Sequence, residues 1–114
     1  MKITPDEFIK DVRSSMRGGK GDVVLEHIQK EGLPEKCRLL AKITLEPGCS
    51  IGHHVHEKET EYYVIIRGEA TVNDDGTQVP CKAGDVIVTP DGFGHSIENT
   101  GSDTMEMLAV IILD

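Results

Sequence analysis

The chain is a succession of short apolar runs, each cut off within a few residues by Gly, Pro, Asn or Asp, and this spacing most limits what it can fold into. The clearest run is Cys37 to Glu46. Cys37, Leu39, Ala41, Ile43 and Leu45 fall on one side of a period-two pattern, Arg38, Lys42, Thr44 and Glu46 fall mostly on the other, and Pro47-Gly48 closes it. An alternation of period two is that of a strand with one face buried and one wet, as an antiparallel wall requires. Asn73-Asp74-Asp75-Gly76 reads as a hairpin turn between Ala70–Val72 and Thr77–Cys81, with Asp-Gly supplying the positive φ angles. About nine or ten such strands, joined by short polar connections, predict an all-β domain. With 114 residues there is length for one modest core and no more.

Residues 4–16 are the exception. Thr4 as N-cap, Pro5 at the first helical position and Glu7 as capping-box partner predict a short N-terminal helix, with Phe8, Ile9, Val12 and Met16 as its apolar stripe. Arg17-Gly18-Gly19-Lys20-Gly21 reads as a flexible connector. Residues 1–21 are therefore expected to form a helix and connector, and residues 22–114 the β barrel, within one domain overall.

Net charge is −8 with a pI near 5.0, which argues against nucleic-acid and anionic-membrane partners, since those want a basic patch. An anionic substrate would have to be drawn by a local charge, not by the global field. There is no apolar run of bilayer-spanning length and no secretory h-region, so the cytoplasm is the expected compartment. Cys37, Cys49 and Cys81 are odd in number and widely spaced, which reads as free thiols.

Two segments carry the chemistry. In an extended strand His54 and His56 point to the same face, roughly 6–7 Å apart, while His53 and Val55 point to the other. Glu61 follows a polar bend and would enter from the neighbouring strand. His95 stands downstream in a Gly- and Pro-punctuated loop as a fourth candidate. Imidazole nitrogen and carboxylate oxygen suit a divalent transition metal: Mn, Fe, Zn, Ni or Cu. The competing reading is that these are solvated histidines on a charged loop. His27, outside both segments, is expected on a strand surface. Tyr63 shares Glu61's face and is the candidate catalytic or ligand-contacting aromatic, or else a core tyrosine. Phe93 is expected to cap the core, or to gate the pocket. One or both of Met105 and Met107 are expected to line the cavity mouth.

These segments resemble the two motifs of the cupin family. Gly48, His54, His56, Glu61 and Gly68 fill every defined position of G-x5-H-x-H-x3–4-E-x6-G. Gly84, Pro90, Gly92, His95 and Asn99 fill G-x5-P-x-G-x2-H-x3-N. The resemblance implies a double-stranded β-helix, or jelly-roll barrel, with one metal inside it. It implies His54, His56, Glu61 and His95 as the ligands and leaves the reaction open. Two functions follow as expectations. The first is a metal-dependent enzyme acting on a small chelating molecule such as a carboxylate or keto acid, of dioxygenase, decarboxylase or isomerase type. The second is a non-catalytic module that binds or senses a small molecule. Both faces of the strand after Glu61 carry large apolar groups, which predicts a cover on the second face and so a homodimer.

Overall fold

The computed structural model describes residues 1–114. Ten strands run in chain order: β1 (Ile9–Ser14), β2 (Asp22–His27), β3 (Cys37–Leu45), β4 (Ser50–Val55), β5 (Glu59–Arg67), β6 (Glu69–Asp74), β7 (Thr77–Lys82), β8 (Val86–Thr89), β9 (Gly94–Glu98) and β10 (Met105–Leu113). They form a six-stranded sheet, β1-β2-β3-β10-β5-β8, and a four-stranded sheet, β4-β9-β6-β7, with antiparallel pairing throughout. The two sheets enclose an aliphatic core of Val23, Leu25, Ile43, Leu45, Ile51, Ile65, Val72, Ile97 and their neighbours. This is the all-β double-stranded β-helix that the strand spacing and the motifs anticipate. No helix of the structure is long and apolar enough to cross a membrane.

The strand pattern in β3 holds as read: Ala41, Ile43 and Leu45 are buried. The pairing of β3 with β10 slips at Cys37–Leu39, where Ile111 faces Leu39 and Ile112 faces Cys37, so Arg38 is skipped. Such a bulge re-aims a side chain. Arg38, which simple alternation points outward, lies along the mouth of an interior cavity.

The N-terminal helix does not form. Only Pro5–Glu7 makes a single 3₁₀ turn, and Ile9–Ser14 is a strand paired residue for residue with β2, Ile9 opposite His27 and Ser14 opposite Asp22. A helix of that length gains little in water by itself. A sheet edge offers a full ladder to the same backbone, and β-branched Ile9 and Val12 suit it. The Gly-rich connector is not a loose tether either. A second 3₁₀ turn, Met16–Gly18, is pressed against β4: Lys20 N donates to Ser50 Oγ at 2.8 Å and Ser50 N to Lys20 O at 2.8 Å.

Two further expectations change. His27 is buried, not on the surface, and its Nε2 has no hydrogen-bond partner; the nearest carboxylate oxygen, on Asp11, is 3.8 Å away. Its strand runs Val23, Leu25, His27 on the inward side, so alternation set its direction and neighbouring charges did not. Met105 and Met107 are fully buried core residues and do not line the cavity mouth, because they lie at the start of β10, while Ile111 further along the same face is the one that lines the cavity.

Candidate metal centre

The first ligand segment lies where β4 departs from regular pairing. Ile51 faces Ile97 but His54 faces His95, so β4 carries one residue more than β9 across this stretch. The extra residue keeps both Ile51 and His54 on the inner side, which a straight strand could not do. His53 stays exposed on the outside against Gly94, so the bulge does not turn it inward. His56 follows directly after β4, and His95 comes from the paired strand β9. Glu61 comes from β5, in the opposite sheet, and not from a neighbouring strand as the sequence alone suggested. The bend that carries the chain across is set by Lys58 in the left-handed region (φ 58°), with its N–H held by Asp91 Oδ1 at 2.6 Å.

All four expected residues meet. Nε2 of His95 is 3.0 Å from Nε2 of both His54 and His56. Glu61 Oε1 lies 2.9 Å from His56 Nε2, 3.0 Å from His95 Nε2 and 3.9 Å from His54 Nε2. One donor atom from each residue falls within 4.8 Å of every other. The rings stand edge to face with centroids 4.6–4.9 Å apart, so they converge and do not stack. This excludes the reading of solvated loop histidines.

The other nitrogen of every ring is tied. His54 Nδ1 donates to the Gly52 carbonyl at 2.9 Å, and His56 Nδ1 lies 2.6 Å from Glu59 Oε2. His95 Nδ1 lies 2.7 Å from Thr89 Oγ1. A carbonyl and a carboxylate can only accept, so Nδ1 of His54 and of His56 carries the proton. In the neutral rings, therefore, an Nε2 lone pair faces inward. Outer bonds of this kind fix ring direction and tautomer in metal sites.

Burial alone would push the Glu61 carboxyl up, but the three imidazoles around it, which bond it through Nε2–H when protonated, outweigh burial and hold it far below the usual carboxylate range. His56 is pushed up by its bond to Glu61, against burial, while burial holds His95 down. Glu59 is held to about 2, first by its hydrogen bonds from Arg38, against burial, and then by His56. Arg38 Nε and Nη2 both reach the Glu59 carboxylate at 2.8 Å. An anionic carboxylate and three converging imidazoles, which present Nε2 lone pairs once deprotonated, are the donor types that divalent ions take. The donor set therefore fits a divalent metal ion.

Tyr63 sits beside the cluster, 2 % exposed, its ring stacked on His95 at 4.7 Å and 10°. Burial, then the charge of Glu61, keeps its phenol protonated far above neutral pH. It lines a cavity of about 100 Å³ together with His54, His56, Glu61 and three arginines, Arg13, Arg17 and Arg38. Those arginines were not anticipated. The N-terminal segment read as a helix, and alternation sent Arg38 outward; a net charge of −8 gave no hint of a cationic mouth. Phe93 is half exposed and belongs neither to this lining nor to the core. Cys49 packs against the edge of the core and stays outside the cavity.

The family model for the cupin domain matches residues 41–111. The chain is a cupin. An oxalate-binding protein from Thermotoga maritima is 50% identical over 113 residues, spanning 98% of this chain and 89% of the relative. The crystal structure of a predicted oxalate decarboxylase, also from Thermotoga maritima, superposes with a TM-score of 0.95 at 49% identity, over 100% of both chains. A sugar phosphate isomerase of the cupin superfamily from Silicibacter pomeroyi shares the fold, with a TM-score of 0.81 at 20% identity over 100% of this chain and 76% of that one.

Proposed function

We propose that this cupin binds a small dicarboxylate, oxalate in the first instance, through one divalent cation held by His54, His56, Glu61 and His95. The observation that carries this is the convergence of four donors at a small cavity that Arg17, free of any ion pair, also lines. A bound divalent ion would supply Lewis-acid charge and exchangeable positions for a chelating carboxylate. Mn, Fe, Zn and Ni all accept such donors, and availability decides among them. The chain's residues do the rest. Glu59 and Arg38 hold His56 in place. Tyr63, kept protonated, offers an O–H to a ligand oxygen. The cavity of about 100 Å³ limits the guest to a few heavy atoms; an apolar cavity of about 150 Å³ takes benzene. The similarity to a protein named for oxalate binding supports this choice of ligand.

The other reading is an enzyme that acts on the same anion, of decarboxylase type. Tyr63 favours it, as a buried phenol that lines the ligand cavity beside His95 and Glu61. One experiment separates the two. Oxalate is titrated calorimetrically into the Mn²⁺-loaded and the metal-free protein, and formate and CO₂ are assayed afterwards. Metal-dependent binding without product is the expected result. Turnover above that of free Mn²⁺ would replace the binding reading with the enzymatic one, and no binding in either form would end both.

A homodimer is part of the same proposal. Tyr62, Ile66, Val86, Val88 and Ile112 are exposed on the outer face of the six-stranded sheet, and the register places Tyr62 beside Val88 and Val110. A self-complementary apolar sheet face suits a second copy across a two-fold axis. Sedimentation at micromolar concentration should give twice the chain mass. The three cysteines are free, in keeping with a reducing, cytoplasmic setting.

A further inference from the structure

The arginines at the cavity mouth are not equivalent. Arg38 is committed to Glu59, with two bonds of 2.8 Å. Arg13 is tied to Asp11, 3.0 Å away. Arg17 lines the same cavity and makes no ion pair with any carboxylate. It is also close enough to the buried site to act on the Tyr63 hydroxyl, where it opposes burial and Glu61. An unpaired guanidinium beside a buried anionic cluster, in a chain of net charge −8, is the least expected cation in the molecule.

Its backbone is held in a costly form. Arg17 has φ 54° and ψ 29°, and Ser15 two residues before has φ 52° and ψ 42°. A bulky side chain in the left-handed region costs about 1–2 kcal/mol and persists only where the surroundings impose it. Here β4 imposes it. A Cβ on Gly52 would lie 2.0 Å from the Arg17 carbonyl oxygen, and one on Gly19 would lie 2.2 Å from the Ser50 carbonyl oxygen. Two glycines thus let the Met16–Gly18 turn sit flat on β4, at the residues that lead into His54. The Gly52 that receives the turn also accepts the His54 Nδ1 proton. One short stretch of backbone therefore orients a metal-site ring on one side and seats Arg17 on the other.

Resting on the dicarboxylate reading above, we infer that Arg17 is the specificity-determining residue for the ligand: its guanidinium receives the outer oxygens of a dicarboxylate whose inner oxygens face the metal site. A dianion that chelates through one oxygen of each carboxylate leaves two outer oxygens side by side. A guanidinium fork matches such a pair with two parallel charge-assisted bonds, and an ammonium does not. The left-handed turn fixes the backbone that carries the guanidinium, so only the side-chain rotamers remain to be ordered on binding. A monocarboxylate chelator such as glycolate has no such pair and gains little from it. Arg17 therefore selects dicarboxylates over other small chelating acids.

The test is calorimetry of oxalate and glycolate on the Mn²⁺-loaded full chain, for wild type, Arg17→Asn and Arg17→Lys. Asn tolerates the left-handed turn, so the arm stays seated while the charge goes. Oxalate should weaken about tenfold or more in Arg17→Asn and by an intermediate factor in Arg17→Lys, while glycolate should move by less than about threefold. Mn²⁺ affinity should stay at the wild-type value, which a general loss of structure would not allow. Oxalate binding by Arg17→Asn within about twofold of wild type, or equal losses for the two ligands, would overturn the role of Arg17 alone. A wild-type protein that holds Mn²⁺ but takes neither ligand would overturn the dicarboxylate reading and this inference together.

Discussion

The metal cluster and the N-terminal arm face the same cavity and are built on opposite terms. In the cluster each side chain is pinned: His56 by Glu59, His95 by Thr89, His54 by the Gly52 carbonyl. In the arm Arg13 and Arg17 are exposed and the backbone is pinned, through Gly19 and Gly52 against β4. The cluster can hold an ion because its donors cannot turn away. The arm can meet a ligand because its guanidinium is free while its position is not. Metal affinity and ligand choice should thus be separable by mutation.

The largest effect should come from the cluster itself. His56→Ala removes a donor and leaves Glu61 short of a partner at 2.9 Å. Bound metal should fall by at least about tenfold while a folded barrel remains, because the core is aliphatic and independent of the ion. Circular dichroism with metal analysis of the same sample checks both halves. Full metal content in His56→Ala would remove it from the ligand set.

A smaller effect is expected one shell out. Glu59→Gln keeps shape but loses the charge that holds His56 Nδ1–H, and should weaken metal binding by about tenfold. It also carries a pH signature. The Glu59 carboxyl is held to about 2, below its ordinary value of 4.5, chiefly by Arg38. A depressed carboxyl contributes stability that is fully present above its ordinary value and disappears as pH falls through the depressed one. The difference in denaturation midpoint between wild type and Glu59→Gln should therefore be constant above about 5 and close as the pH falls towards 2. A difference unchanged at acid pH would rule out this ion pair as its source.

The smallest effect belongs to the arm. Gly19→Ala drives a Cβ to 2.2 Å from a backbone oxygen, so the arm must lift from β4. Oxalate affinity should drop a few-fold, with a loss of about 1–3 kcal/mol of stability and no change in metal content. Loss of metal along with ligand would mean that arm and cluster are not separable.

The same contrast explains what could be read from the chain. The cluster was legible because its chemistry lies in residue type and short spacing: His54, His56 and Glu61 span eight positions, and alternation set the shared face of the histidines. The strands were legible for the same reason. The arm was not. Phe8, Ile9, Val12 and Met16 fit a helical stripe as well as they fit an edge strand, and only the ladder to β2 decides between them. Arg17 carried no signal, because its role comes from a left-handed turn seated on Ser50–Gly52, more than thirty residues away, through Gly52 and its own neighbour Gly19. The bulge at Arg38 likewise depends on the register with β10, which no local pattern encodes.

The most direct test of the whole account is elemental analysis of the untagged protein after equilibration with Mn²⁺ and removal of the excess. Four converged donors predict about one divalent ion per chain, retained through dialysis. No bound metal, before or after reconstitution, would contradict the central claim and leave only the barrel.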